Sequence, residues 1–180
     1  LATTEIVVIK VKQYKKTRGL TLIEVIIAMA IMMIVGGVIT TMTVSNNKIL
    51  SKVDMKSELQ LEGQLIQTQL NSVAFESNGV KEVVFKGDTD EIESLTLYDV
   101  NYDYQFVLDH HTVIYRKIQG ENVLVEKQLS SHISKIVVIG EEDLEKSSYM
   151  EFNITLEMKR GGQVVDYQID NYIVFRNFKR

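Results

Sequence analysis

Val25 to Val44 is a run of 20 residues without one charged side chain. At about 1.5 Å per residue it spans roughly 30 Å as a helix, the thickness of a bilayer's hydrocarbon core. It is apolar around its whole circumference, which suits a membrane span or the inside of a helix bundle. Its flanks narrow the choice. A basic segment, Lys15-Lys16-Thr17-Arg18, stops at Gly19, four uncharged residues follow, and a lone glutamate, Glu24, stands at the mouth of the run. An ionised carboxylate costs on the order of 2.5–3.5 kcal/mol at the centre of a spanning helix and less near its end. Glu24 therefore needs either a partner or a route to the interface. The block exceeds the roughly 7–15 residues of a secretory signal core, and Thr43-Val44-Ser45 behind it is a poor signal cleavage site.

Gly19-Leu20-Thr21-Leu22-Ile23-Glu24, with its basic leader and the apolar block behind it, resembles the processing site of type IV prepilins and type II secretion prepseudopilins. Leucine stands at the first mature position, where phenylalanine is commoner. The resemblance implies cleavage after Gly19 by a prepilin peptidase and N-methylation of Leu20. It assigns Glu24, with Thr21 beside it, to assembly. It also implies other pilin or pseudopilin subunits and an inner-membrane assembly platform as partners, with membrane lipid around the helix before assembly. The division that follows is a leader over residues 1–19, a transmembrane and assembly helix over 20–45, an amphipathic continuation over 46–77 and a β-rich head over 78–180. The expected location is the cytoplasmic membrane, crossed once with the leader inside and the head outside, and then a pilus or pseudopilus at the cell surface. Cleavage would free an amine on Leu20, positive near neutral pH. A helix from Leu20 puts Glu24 one turn along on the same face, where it could pair with its own amine or a neighbouring subunit's. A cross-subunit pair in a low-dielectric filament core would fix axial register.

The leader carries five cations and one anion, so its removal takes the formal net charge from −4 to −8. Bulk electrostatics of that sign argue against nucleic acid as a direct partner. The absence of cysteine excludes disulfides and thiol chemistry, so the head must rely on packing.

Beyond Asn46 the helix turns amphipathic, with Ile49, Val53, Leu59, Ile66, Leu70 and Val73 on a stripe that should face the head. Gly63 reads as a weak point. Gly36-Gly37, earlier in the helix, reads either as a close helix–helix contact or as a place that melts on entry to a filament. Ser77-Asn78-Gly79 suits a left-handed helix stop. From there the apolar period changes to two. Strands are expected at Val80–Lys86, Ile92–Tyr98, Tyr102–Leu108, Thr112–Ile118, Val123–Lys127, Ile133–Ile139, Met150–Met158, Val164–Ile169 and Tyr172–Phe175, with a polar connection over Gly140–Ser147 and a tight hairpin at Arg160–Gln163. The fold class is α+β of the type IV pilin kind, a long N-terminal helix packed on an antiparallel sheet. The strand order Tyr104–Leu108, Val113–Arg116, Val123–Glu126, Ile133–Ile139 resembles the heads of J-type minor pseudopilins and W-type minor pilins.

Candidate chemistry in the head is thin. Neighbouring His110 and His111 point to opposite sides of an extended chain without a third ligand near in sequence, and read as a solvated turn. Asp88, Asp90 and Glu91 resemble a fragment of a calcium loop, but its spacing and essential glycine are missing. Glu141-Glu142-Asp143 reads as a loop, and the glycosylation triplet Asn153-Ile154-Thr155 lies within a strand. No catalytic triad order, phosphate loop or carboxylate pair stands out, so no enzyme, cofactor or metal is expected. The leading reading is a structural minor pilin or pseudopilin subunit in a tip or priming role. A signal-anchored extracellular ligand-binding protein and an exported soluble enzyme are the rivals.

Overall fold

The computed structural model describes residues 19–139, 144 and 147–178. One helix, α1 (Leu22–Glu76), precedes eight strands: β1 (Gly79–Phe85), β2 (Ile92–Tyr98), β3 (Asp103–Asp109), β4 (Thr112–Gln119), β5 (Asn122–Ser130), β6 (Ile133–Ile139), β7 (Tyr149–Arg160) and β8 (Gln163–Val174). This is the expected α+β arrangement of a long N-terminal helix and an antiparallel head. The chain forms two compact units, one ending at Asn46 and the other beginning at Asn47.

In the first unit α1 is exposed on every side and runs unbroken through Gly36-Gly37. Its threonines are satisfied internally. Thr40 and Thr43 donate their hydroxyls to the carbonyls of Gly36 and Ile39 at 2.8 and 2.9 Å, and Thr41 donates to Val38 at 2.8 Å. No side chain between Val25 and Val44 therefore needs water for its polar atoms.

In the second unit Leu59, Ile66, Leu70 and Val73 are buried as the stripe predicted, joined by Met55 and Ala74. Ile49 and Val53 depart from that expectation, being 55% and 58% exposed. Met55 is the first buried residue of α1, so at Ile49 the periodicity continues with nothing packed on it. Val53 stands two positions from Met55, roughly 200° round the helix, and faces away from the strands. Gly63 is not a weak point. The helix is continuous there, and a Cβ on Gly63 would lie 2.1 Å from Ile169 Cδ1 of β8. The missing side chain lets the helix approach the sheet. The helix also ends differently from the expected left-handed stop. Ser77 returns both its amide and its hydroxyl to the Val73 carbonyl, at 2.9 and 2.7 Å, and the Asn78 amide donates to the Tyr98 carbonyl at 2.7 Å. Gly79, at φ 156°, opens β1.

The head holds two antiparallel sheets where one was expected, ordered β1-β2-β3-β4-β5 and β6-β7-β8. At the break between β5 and β6 the chain meets the helix. The Glu62 carboxylate on α1 accepts the Ser130 hydroxyl at 2.6 Å and the Ser131 amide at 3.2 Å, and faces His132 Nδ1 at 2.8 Å. Ser130 ends β5 opposite Val113, the His132 carbonyl already accepts the Glu157 amide of β7 at 2.8 Å, and between them the chain leaves the first sheet against the helix. The two sheets meet again where Glu91 bridges Val137. Tyr104, Phe106, Val113, Ile133, Phe152, Ile154 and Leu156 close the shared core against the helix stripe.

β8 is one strand of 12 residues, not the two expected. Asp170 and Asn171, placed at the supposed gap, pair with Asn153 and Phe152. Asn171 is a polar residue at a buried position, which interrupts the apolar period without interrupting the strand. The Gly140–Ser147 connection lies largely outside the described residues, as does Glu141-Glu142-Asp143.

Two measurements test this packing. Gly63→Leu should lower head stability in urea by about 1–3 kcal/mol through overpacking against Ile169. Unchanged stability would disprove the close approach. Glu62 is pushed up by partial burial, but the bonds from Ser130, His132 and Ser131 outweigh that and hold its pKa below the ordinary glutamate range. A carboxylate with a depressed folded-state pKa contributes stability above its unfolded pKa and loses it as pH falls through the folded value. The wild type should therefore lose stability on acidification through and below the ordinary glutamate pKa, and Glu62→Gln should flatten that part of the profile.

Candidate functional site

The residues around the cleavage motif stand at the start of α1. Gly19, Leu20 and Thr21 precede the helix and are exposed, Leu20 by 80%. The Gly19–Leu20 peptide is thus outside the hydrogen-bonded ladder, where a peptidase can reach it without unwinding helix.

Thr21 is the N-cap and Glu24 the third helical residue. The Glu24 amide donates to Thr21 Oγ1 at 3.3 Å, and Glu24 Oε2 accepts both the Thr21 amide and the Thr21 hydroxyl at 2.8 Å. The two residues satisfy each other's orphan groups as a capping box. The sequence pattern Thr-x-x-Glu was legible as such a box, and the reading of Glu24 as a partner for an amine passed over it. The two uses are compatible. Only Oε2 is engaged in the cap, and among the described residues no donor reaches Oε1. The carboxylate is held near the chain start with one oxygen open. The basic residues of the leader fall outside the described residues.

Among the described residues the head offers no comparable assembly of functional groups. His111 Nδ1 faces the Ile133 carbonyl at 2.8 Å, while His110, at φ 54°, sits beside Asp109. Asp88 and Asp90 lie in the β1–β2 turn. Among the described residues no group of three or more potential ligands lies close enough to hold a metal ion. Asn153 is committed within the sheet, donating to Asp170 at 2.7 Å. A cleft of about 780 Å³ lies between the end of α1 and the β2–β3 turn. In it Lys117 stacks on Tyr102 at 4.0 Å and the Tyr104 hydroxyl donates to Glu76 at 3.3 Å. Burial, with the Glu76 and Asp99 carboxylates, pushes the Tyr104 pKa well up and keeps it a donor. That arrangement fastens the helix end to β3.

Comparison with known proteins agrees with this distribution of features. No curated protein and no solved structure matches the chain. A family model described as the prokaryotic N-terminal methylation motif matches residues 14–40, a stretch that takes in the Gly19–Leu20 peptide, the Thr21–Glu24 box and most of the uncharged run. The motif supports a type IV pilin-like subunit processed as a prepilin.

Proposed function

We propose that the chain is a minor pilin or pseudopilin: a membrane-inserted precursor, cut between Gly19 and Leu20, methylated on the new amine and drawn into a filament. The observation that carries this reading is the match of the methylation motif to residues 14–40, which include an exposed Gly19–Leu20 peptide. α1 is long and apolar enough to cross a membrane, and none of its apolar window is buried within the protein. In the precursor, lipid covers that surface. In a filament, neighbouring helices cover it. Hydrolysis of the Gly19–Leu20 bond leaves a carboxylate on the leader and an amine on Leu20. The open Oε1 of Glu24 takes the Leu20 amine of an adjacent subunit, and that cross-subunit pair sets axial register. The strand order of the head, which resembles J- and W-type minor subunits, supports a tip or priming role.

The Thr21–Glu24 box favours one rival, a single-pass anchor in which Glu24 only caps its helix. Mass spectrometry of the chain from cells with an active prepilin peptidase separates the two. A methylated N-terminus at Leu20 is expected, and an intact leader would support the anchor. Glu24→Ala should be cut normally and be lost from filaments, whereas wild-type incorporation would end the register argument. Thr21→Val should cost about 1 kcal/mol of helix capping while sparing most incorporation, because the carboxylate remains. Deleting the gene should lower filament number more than it changes composition, and unchanged piliation would remove the priming role.

A further inference from the structure

Three lysines, Lys48, Lys52 and Lys56, follow the uncharged run at intervals of four. On α1 that spacing stacks them on one face, one per turn. All three are exposed, and among the described residues none forms an ion pair. The nearby acids do not neutralise them. Asp54 lies two positions from Lys52 and from Lys56, on the other side of the helix. Glu58 is taken by Arg160 of the β7–β8 hairpin, at 2.9 Å. The ladder also extends the stripe that meets the head, since Met55 lies three positions after Lys52 and Leu59 three after Lys56.

The distance along the chain matters as much as the charge. Lys48 is four residues past Val44, roughly 6 Å of helix, and Lys52 roughly 12 Å. The headgroup layer of one leaflet is on the order of 5–8 Å thick beyond the hydrocarbon. Lys48 falls inside it, and Lys52 reaches back to it on a flexible four-carbon stem. Lys56 lies above the layer but within a Debye length of its charge.

We propose that Lys48, Lys52 and Lys56 bind the phosphates of anionic phospholipid headgroups in the leaflet on the head's side. This rests on the membrane-inserted precursor of the preceding section and goes beyond it by naming a lipid class. The ladder holds the subunit at a fixed depth before assembly, and extraction into a filament must exchange those phosphates for another anion or for water.

The test uses the full chain reconstituted in vesicles of phosphatidylcholine, or of phosphatidylcholine mixed with phosphatidylglycerol. Acetylation of each lysine is followed by peptide mass spectrometry. Lys48 and Lys52 should react about fivefold more slowly in the anionic vesicles, the effect of one lysine–surface contact. High salt should abolish the difference, and Lys127, exposed on β5, should not show it. Native mass spectrometry of protein released from mixed vesicles should find phosphatidylglycerol enriched on the wild type. K48Q/K52Q/K56Q should retain the two lipids in the vesicle's own ratio. Equal acetylation in both vesicles, with residues 25–44 protected from hydrogen exchange, would overturn the lipid assignment and leave the membrane reading standing. Protection that follows protein density rather than lipid charge would overturn it in favour of a subunit contact. Unprotected residues 25–44 would overturn the membrane reading itself.

Discussion

A helix that presents Leu22, Ile23, Ile31, Met32, Ile34, Val38, Ile39 and Met42 to its surroundings is stable only inside something apolar. Sixteen large apolar side chains between Leu20 and Val44 are exposed. Each contributes about 1.5–3 kcal/mol when fully covered, so their burial is worth tens of kcal/mol. The cost of bringing Glu24 to the edge of that environment is smaller by an order of magnitude. Apolar covering therefore outweighs the cost of Glu24 in deciding where the first unit resides. The internal bonds of Thr40, Thr41 and Thr43 fit the same constraint, because hydroxyls tied to the helix do not resist transfer out of water.

The second unit solves a different problem. It has no disulfide and must hold a helix against two sheets by packing and a few long-range bonds. Glu62, Glu76 and Glu58 each take a partner from a different part of the head: the β5–β6 corner, β3 and the β7–β8 hairpin. Gly63 leaves room for Ile169 between α1 and β8. These positions fix how the helix lies on the strands, while the apolar stripe supplies most of the free energy.

Much of this was legible from local pattern. The run around Val25–Val44, the strict alternation in β3 and β7, and the hairpin at Arg160–Gln163 each rest on neighbours within a few residues. The failures have a common cause. Ile49 keeps the helical period where no strand reaches it, and Val53 lies on the side of the helix turned away from the strands. Asn171 breaks the strand period because its environment is set by α1, where Asn71 donates to it at 3.5 Å. The division into two sheets depends on Glu62 meeting residues some 70 positions later, and no local pattern encodes that meeting. The capping box is the exception, a local pattern hidden by a more specific one built from the same glutamate.

The buried stripe has a mechanical consequence. Met55, Leu59, Ile66, Leu70, Val73 and Ala74 are spread along about five turns of α1, all engaged with the head. A tension applied at Asn47 along the helix axis loads these contacts together, in shear, instead of peeling them one by one. The stem is thus seated to carry traction, and its detachment under load would be a single rupture.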